Sequence, residues 1–218
     1  MVCSFDGLVL FALLAFLKTN IISYFRETTS NSSRNRKESM GSVHSGDRPD
    51  LQILLMLDSD EWELVFTEIS RLVPRSDKQS YDWKKLNRLC KDGLDGRFEK
   101  LFEGKVVESD EAKCLIDKLY HIPIIGLQII KNRVIFFGVD FYHNSFYRSF
   151  KIHDYTIPLR VSDCRVIEDF LKSSLKVKCY LEGTFNNLVR IIDEIDRLPP
   201  VIVERERPGS SMSISTTY

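Results

Sequence analysis

The segment IIGLQIIKNRVIFFGVDFYHNSFYRSFKI, residues 124–152, decides the fold class. It contains three runs of branched and aromatic residues, which the polar stretches 131–133 and 143–145 separate. Such runs, bounded by turn-forming residues, are typical of β-strands. We therefore predict three antiparallel strands joined by tight turns. The stretch 154–161 is expected to be an edge strand, because Pro158 has no amide hydrogen to donate to a ladder.

Three amphipathic helices are predicted before the strand segment. Apolar residues recur at helical spacing in residues 58–74, 80–93 and 109–123. Ser80 is expected to cap the second of these helices and Gly93 to end it.

Two further helices are predicted after the strand segment, over residues 162–174 and 184–200. Between them, LKVKCYLEG at 175–183 alternates apolar and polar residues, which predicts a half-buried strand. Its inward residues would be Leu175, Val177, Cys179 and Leu181. Residues 201–203 are expected to return as a last short strand.

The predicted architecture is an α+β domain in which N-terminal helices precede a small, largely antiparallel sheet, with two helices packed on one face. This single globular domain would span residues 51–203. Residues 1–26 form a hydrophobic N-terminal segment. Residues 27–50 and the Ser/Thr-rich tail 204–218 are too polar to bury a core, so we expect a disordered linker and a disordered tail.

Composition restricts the partners and the compartment. Lys and Arg number 31 and so do Asp and Glu, so no overall field attracts the chain to nucleic acid or to anionic lipid. Any such binding requires a local patch. The chain has five cysteines, an odd number, and no pair of them is spaced as CxxC. This pattern favours free thiols in a reducing compartment over a disulfide framework.

The apolar run GLVLFALLAFL, residues 7–17, predicts contact with a membrane surface. A spanning helix needs about 20 mainly apolar residues, and extending the run to residue 25 places Lys18 inside it. No basic residues precede the run and no small-residue cleavage site follows it, so a signal peptide is disfavoured. We expect shallow insertion, with the bulk of the chain on the cytoplasmic side. The inserting side chains would be Leu8, Val9, Leu10, Phe11, Leu13, Leu14, Phe16 and Leu17.

The stretch MGSVHS, residues 40–45, matches the N-myristoylation pattern. Because that reaction needs an N-terminal glycine, Gly41 would be lipidated only if translation started at Met40. The alternative is a chance match in a linker rich in small polar residues.

A basic patch is the best candidate for binding an anionic partner such as a nucleoprotein, nucleic acid or phospholipid surface. It consists of Lys84, Lys85, Arg88, Lys91, Arg97, Lys100 and Lys105. The alternative is an ordinary solvated helix face, since acidic residues are interspersed with it. The aromatic residues of 136–150 are expected to fill the core and to leave some rings exposed for self-association.

Catalytic signatures are lacking, so we predict no enzyme activity, cofactor, metal site or small-molecule substrate. The nearest approach to a nucleophilic set is Cys164 with His153 and either Asp154 or Asp163. Cys164 lies in the first turn of a predicted helix, and a packed thiol is the simpler interpretation. A small cysteine hydrolase remains the second alternative function.

The segment KVKCYLEGTFNNLVRIIDEI, residues 176–195, resembles part of the matrix proteins of rhabdoviruses, including plant-infecting ones, over about a tenth of the chain. That resemblance implies a self-associating virion protein that bridges a host membrane to a nucleoprotein. The PPxY motif frequent in that family is not met, because Val201 and Ile202 follow Pro199 and Pro200. The same segment is also similar to bacterial pilus-assembly proteins of the PilO kind, which implies a membrane-anchored scaffold subunit as the first alternative.

Overall fold

The computed structural model describes residues 28–42, 45–57, 60–70, 76–105, 108–142, 146–158 and 164–199 of the 218-residue chain. The helices are α1 (Asn31–Ser39), α2 (Ser76–Phe102), α3 (Asp110–Tyr120) and α4 (Cys164–Asp196). The strands are β1 (Leu51–Leu57), β2 (Asp60–Ser70), β3 (Ile124–Ile130), β4 (Arg133–Tyr142) and β5 (Phe146–Thr156).

The five strands form one sheet in the order β1-β2-β3-β4-β5. Neighbouring strands are antiparallel except β2 and β3, which are parallel. Parallel neighbours need a long crossover, and α2 and α3 lie in that connection. The α+β class and the three strands predicted in residues 124–152 are confirmed.

The sheet carries a hydrophobic core on each face, because successive side chains of a strand point to opposite sides. On one face, α2 packs Leu86 and Leu89 against Phe66 and Phe137. The cluster on the other face joins apolar residues of α3 and α4 to those of the strands. Two helices, α3 and α4, thus pack on one face of the sheet, and α2 covers the other face.

The helix predicted over residues 58–74 is wrong, because most of this segment forms β2. Residues 62–68 are all buried, since β2 is an inner strand covered on both faces. A bulge also places Leu64 between the paired residues Glu63 and Val65, which breaks the alternation. Burial on both faces and the bulge together removed the period of two that identifies a strand in sequence. Residues 51–57 and 60–70 consequently form two antiparallel strands, and the helix predicted here does not exist.

The strand predicted over residues 175–183 is also wrong, because α4 runs without interruption through it. Val177, Leu181 and Phe185 are buried at helical spacing, whereas Leu175 is 53% exposed and Cys179 is exposed. The alternation in this short stretch is accidental, because a helix places residues two positions apart on opposite sides, and here the helix is 33 residues long.

Helix α2 starts before Ser80 and continues past Gly93, so the predicted cap and stop are both wrong. A Cβ atom at Gly93 would lie 3.2 Å from the Phe66 ring. Gly93 therefore lets the helix lie close to β2 instead of ending it.

The predicted disordered linker is wrong for residues 28–42 and 45–50, which the structure places against the domain. The backbone N–H groups of Asn31 and Ser32, at the start of α1, donate to the Glu63 carboxylate at 2.8 and 3.4 Å. Arg36 Nε lies 2.7 Å from Oδ1 of the buried Asp92 on α2. Polar contacts thus hold a segment whose own sequence has almost no apolar residues. The domain begins upstream of the predicted boundary at residue 51.

Several predictions lie outside the described residues and stay predictions. They concern the hydrophobic segment 1–26, the strand at 201–203 and the tail 204–218.

Candidate functional site

The structure divides the predicted basic patch into three groups. Six of the seven residues belong to α2, and Lys105 follows that helix. Two of them point inward. Lys85 Nζ lies 2.5 Å from Oε1 of the buried Glu68, and Arg97 is only 4% exposed. The predicted patch is therefore not one continuous basic surface.

Arg97 has a structural role in the core. Its Nη1 donates to the backbone carbonyl of Ile122 at 2.9 Å. Burial lowers the pKa of this guanidinium to about 9. Arg97 is thus removed from the surface that could meet an anionic partner.

Two patch residues lie at the far end of α2 and form contacts with acidic residues. Lys100 Nζ is 2.9 Å from Asp60 Oδ1 and 4.4 Å from the ring centre of Trp62. Lys105 Nζ is 3.9 Å from Asp196 Oδ1. Both lysines therefore form ion pairs within the chain.

The remaining three residues, Lys84, Arg88 and Lys91, line a groove between α2 and strands β4 and β5. We call it the α2 groove, and its volume is about 410 Å³. Its other lining residues are Trp83, Asn87, Val139, Tyr147 and Ser149. Among the residues that the structure describes, this lining contains basic but no acidic side chains. The lining side chains of the groove that carry charge are therefore all basic, and the acidic residues Asp47 and Asp95 contact them from outside the lining.

Aromatic rings form part of the α2 groove. The Trp83 ring centre lies 4.2 Å from that of the buried Phe137, which supports the indole from below. The Lys91 ammonium lies 4.6 Å from the centre of the Tyr147 ring. Both aromatic rings are half-buried, so each keeps part of its surface open to solvent.

Asp95 orders one end of the groove. The Tyr147 hydroxyl donates to Asp95 Oδ1, and Lys91 Nζ lies 2.6 Å from Asp95 Oδ2. Burial and then this hydrogen bond to a carboxylate raise the pKa of Tyr147. The phenol is therefore a fixed, neutral donor and not a general base.

Asp47 balances the charge at the rim of the groove. Its carboxylate lies 3.2 Å from Arg88 Nε and 3.1 Å from Lys37 Nζ. Burial alone would raise the pKa of Asp47, but its hydrogen bonds to these cations and their charges outweigh burial and lower it. Lys84, by contrast, forms no ion pair with any described residue. Of the three groove cations, Lys84 is the one whose charge is uncommitted.

A larger cavity, with a volume of about 800 Å³, lies elsewhere, between α1, β2 and α2. It is lined by Arg34, Arg97 and Lys100 and also by Glu61, Glu63, Glu99 and Glu103. Charges of both signs surround it, and Glu63 already accepts hydrogen bonds from α1. Size alone therefore does not make this cavity the better candidate for an anionic partner.

The possible nucleophilic set is not assembled. Cys164 is exposed and not packed as expected, and it forms no hydrogen bond to His153 or Asp154. Asp154 lies 2.9 Å from Arg133 and 3.2 Å from Lys151, while His153 Nε2 is buried without a hydrogen-bond partner. Asp163 lies outside the described residues. The described geometry offers no activated thiolate.

Within the described segments, no group of three or more His, Cys, Asp or Glu side chains is placed to hold a metal ion. In the same segments, no helix combines the length and apolarity that a membrane crossing requires. The predicted membrane-inserting residues, Leu8 to Leu17, lie outside them.

Gly41 follows α1 with a φ of +68° and is exposed. A chain starting at Met40 would lack α1. It would leave the buried Asp92 without Arg36 and remove the donors that α1 gives to Glu63. A start at Met40 would therefore give an incomplete domain, whereas lipidation of Gly41 stays a prediction.

Sequence reasoning identified the basic residues of the groove but missed Trp83, Asn87, Tyr147 and Ser149. Trp83 and Asn87 flank Lys84 and Arg88 on α2, so their helical spacing was a usable signal. Tyr147 and Ser149 belong to β5, and no pattern in the nearby sequence indicates that this strand lies beside α2.

Comparisons with protein-family models, with curated proteins and with solved structures each found no match to this chain.

Proposed function

We propose that this chain is a non-enzymatic assembly protein that binds single-stranded nucleic acid, free or within a nucleoprotein, in the α2 groove. The observation that carries the proposal is the pairing of Lys84, Arg88 and Lys91 with the rings of Trp83 and Tyr147 in one groove. Proteins that bind single strands combine a basic groove with aromatic rings on which bases stack.

The dimensions of the groove suit an extended anionic chain. Lys84 and Lys91 are seven positions apart on α2, which corresponds to about 10 Å along the helix axis. A nucleic-acid strand carries a charge about every 3.4 Å in a duplex, so more than one phosphate would fit along this length. Lys84 supplies uncommitted charge. Arg88 and Lys91 would exchange Asp47 and Asp95 for phosphate oxygens.

The apolar run at residues 7–17 would hold the groove near a membrane. In this matrix-like role the chain bridges a membrane surface and a nucleoprotein, on the cytoplasmic side of a membrane or inside a virion. The support for the membrane contact is the sequence of that run.

The α2 groove is tested by measuring the fluorescence anisotropy of a labelled single-stranded oligonucleotide titrated with the full chain. Binding should weaken as salt rises, with a log–log slope of about −0.7 for each neutralised phosphate. Lys84→Gln should reduce the magnitude of this slope by about 0.7 and weaken binding at low salt. Trp83→Leu should weaken binding without changing the salt slope, because stacking releases no counterions.

Lys172→Gln is the matched control, since Lys172 is an exposed lysine on α4, away from the groove. It should leave both the affinity and the slope unchanged. Equal losses in the Lys84 and Lys172 variants would assign the binding to overall charge and overturn the proposal. The proposal would also be overturned if the chain bound anionic vesicles but no oligonucleotide, because the groove would then be a lipid site.

A further inference from the structure

The two ends of the sheet differ in how they are covered. At one end, five of the seven residues of β1 are buried. The side chain of Gln52 on this strand donates to Thr28, so the chain preceding α1 lies against it. At the other end, β5 has only one buried residue, Tyr155, among eleven. Among the described residues, strand β5 is therefore the less covered end of the sheet.

Strand β5 pairs with β4 along one side over ten positions. No described strand pairs with its other side. A long edge strand of this kind presents a row of backbone N–H and C=O groups that can bind another strand.

From this free edge we infer that a second copy of this chain pairs antiparallel along β5, joining two sheets into one of ten strands. Two copies of one strand related by a two-fold axis repeat every contact, so a residue pair occurs twice. The inference is independent of the α2 groove and of its ligand.

Charge complementarity on one face of β5 favours a second copy over an unrelated chain. Lys151 is paired with Phe137, and Asp154 with Ile135, so both lie on the α2 face of the sheet. A bulge between these positions explains how residues three apart share a face. Placing Lys151 opposite Asp154 of the second copy therefore creates two opposite-charge pairs.

The same register is favourable on the α4 face. There it places Phe150 opposite Tyr155 of the second copy, and both side chains belong to that face because their β4 partners are Gly138 and Val134. Aromatic cross-strand pairs stabilise antiparallel sheets. Arg148, the other cation on this strand, is already neutralised by Asp140, which it contacts at 3.1 and 2.5 Å. No unbalanced charge of Arg148 then opposes the pairing.

Reversing one charge at a time tests the register. Lys151→Glu places two carboxylates opposite each other at both symmetry-related positions, and Asp154→Lys places two ammonium groups there. Each variant alone should dimerise about tenfold more weakly than the natural chain. An equimolar mixture of the two variants should restore the dimer, because every cross-strand contact in the mixed pair joins opposite charges. Analytical ultracentrifugation of the full chain measures all four samples.

Mixing the two variants distinguishes a change at the interface between copies from a change within a single chain. Both variants break the contact between Lys151 and Asp154 of the same chain, and Asp154→Lys also breaks the contact with Arg133. Mixing repairs neither of these contacts. Lys172→Glu, which breaks an exposed ion pair with Glu168 on α4, is the control and should leave dimerisation unchanged. The inference fails if the natural chain is monomeric, if the variants dimerise normally, or if mixing restores nothing.

A second measurement needs no variant and covers the case in which one of them does not fold. Amide hydrogen exchange in β5 of the natural chain should become faster on dilution, as the free edge is exposed, while exchange in β3 stays constant. Exchange in β5 that does not depend on concentration would overturn the inference.

Discussion

Replacing Glu68 with glutamine should remove a large part of the pH dependence of the free energy of unfolding. Glu68 lies on the inner strand β2 and is 3% exposed. Burial raises the pKa of its carboxyl group from 4.5 to about 7, and the charges of Asp50 and Asp82 act in the same direction. The nearby Lys85 ammonium lowers this pKa, but burial outweighs it.

The sign of the effect follows from which state holds the proton. Below pH 4.5 the folded and unfolded chains both carry a protonated Glu68, so this group makes no difference. Between pH 4.5 and about 7 the unfolded chain releases the proton while the folded chain keeps it. Stability therefore falls as pH rises through this interval, and the loss is complete above the folded pKa. At about 1.36 kcal/mol per pH unit, the loss is about 3 kcal/mol.

Urea unfolding followed by circular dichroism at several pH values measures this difference. The natural chain should lose about 3 kcal/mol more than Glu68→Gln between pH 4.5 and about pH 8. Glu99→Gln on the exposed side of α2 is the control and should follow the natural chain. If the curves of the natural chain and Glu68→Gln are parallel, Glu68 titrates normally and our account of its burial beside Lys85 is wrong.

Two substitution pairs test the corrected secondary structure. Val177→Asp should destabilise the chain by about 3 kcal/mol or more because it buries a charge. Leu175→Asp should change stability by less than about 0.5 kcal/mol. If residues 175–183 formed a strand with both side chains inward, the two substitutions would be equally destabilising. Ser109→Ala should cost about 1 kcal/mol because Ser109 accepts from the Ala112 amide as the N-cap of α3. Ser80→Ala lies inside α2 and should stabilise by up to about 0.5 kcal/mol. Thermal unfolding of the four variants distinguishes these outcomes, and a large loss in Ser80→Ala would restore its predicted role as a cap.

The sequence alone predicted the helices and strands whose residues show a clear period or a clear capping residue. The strands of residues 124–152 were predictable because short polar turns separate their β-branched and aromatic runs. Helix α3 was predictable because Ser109 caps it and acidic residues follow in its first turn. The turn between β3 and β4 was predictable because the polar stretch 131–133 separates two apolar runs. Lys131 takes a left-handed conformation in this turn, with a φ of +56°.

The candidate site was predictable in part. Lys84, Arg88 and Lys91 follow from their spacing on one helix, which the sequence reveals directly. The sequence did not predict which basic residues of the patch stay at the surface. Lys85 and Arg97 point away from the surface because they contact residues that are distant in sequence. Glu68 and Ile122 become their neighbours only when β2 and β3 come together beneath α2.

By itself, the sequence of this protein determined the α+β class, the helical period of α2 and α3, and the basic character of α2. These properties depend on residues within a few positions of one another. Tertiary structure alone decided that β2 is a strand and that residues 28–42 and 45–50 belong to the domain. It also decided that Trp83 and Tyr147 share a groove and that β5 is an edge of the sheet that the described strands form. Each of these depends on burial or charge pairing between distant segments, and a local period cannot contain that information.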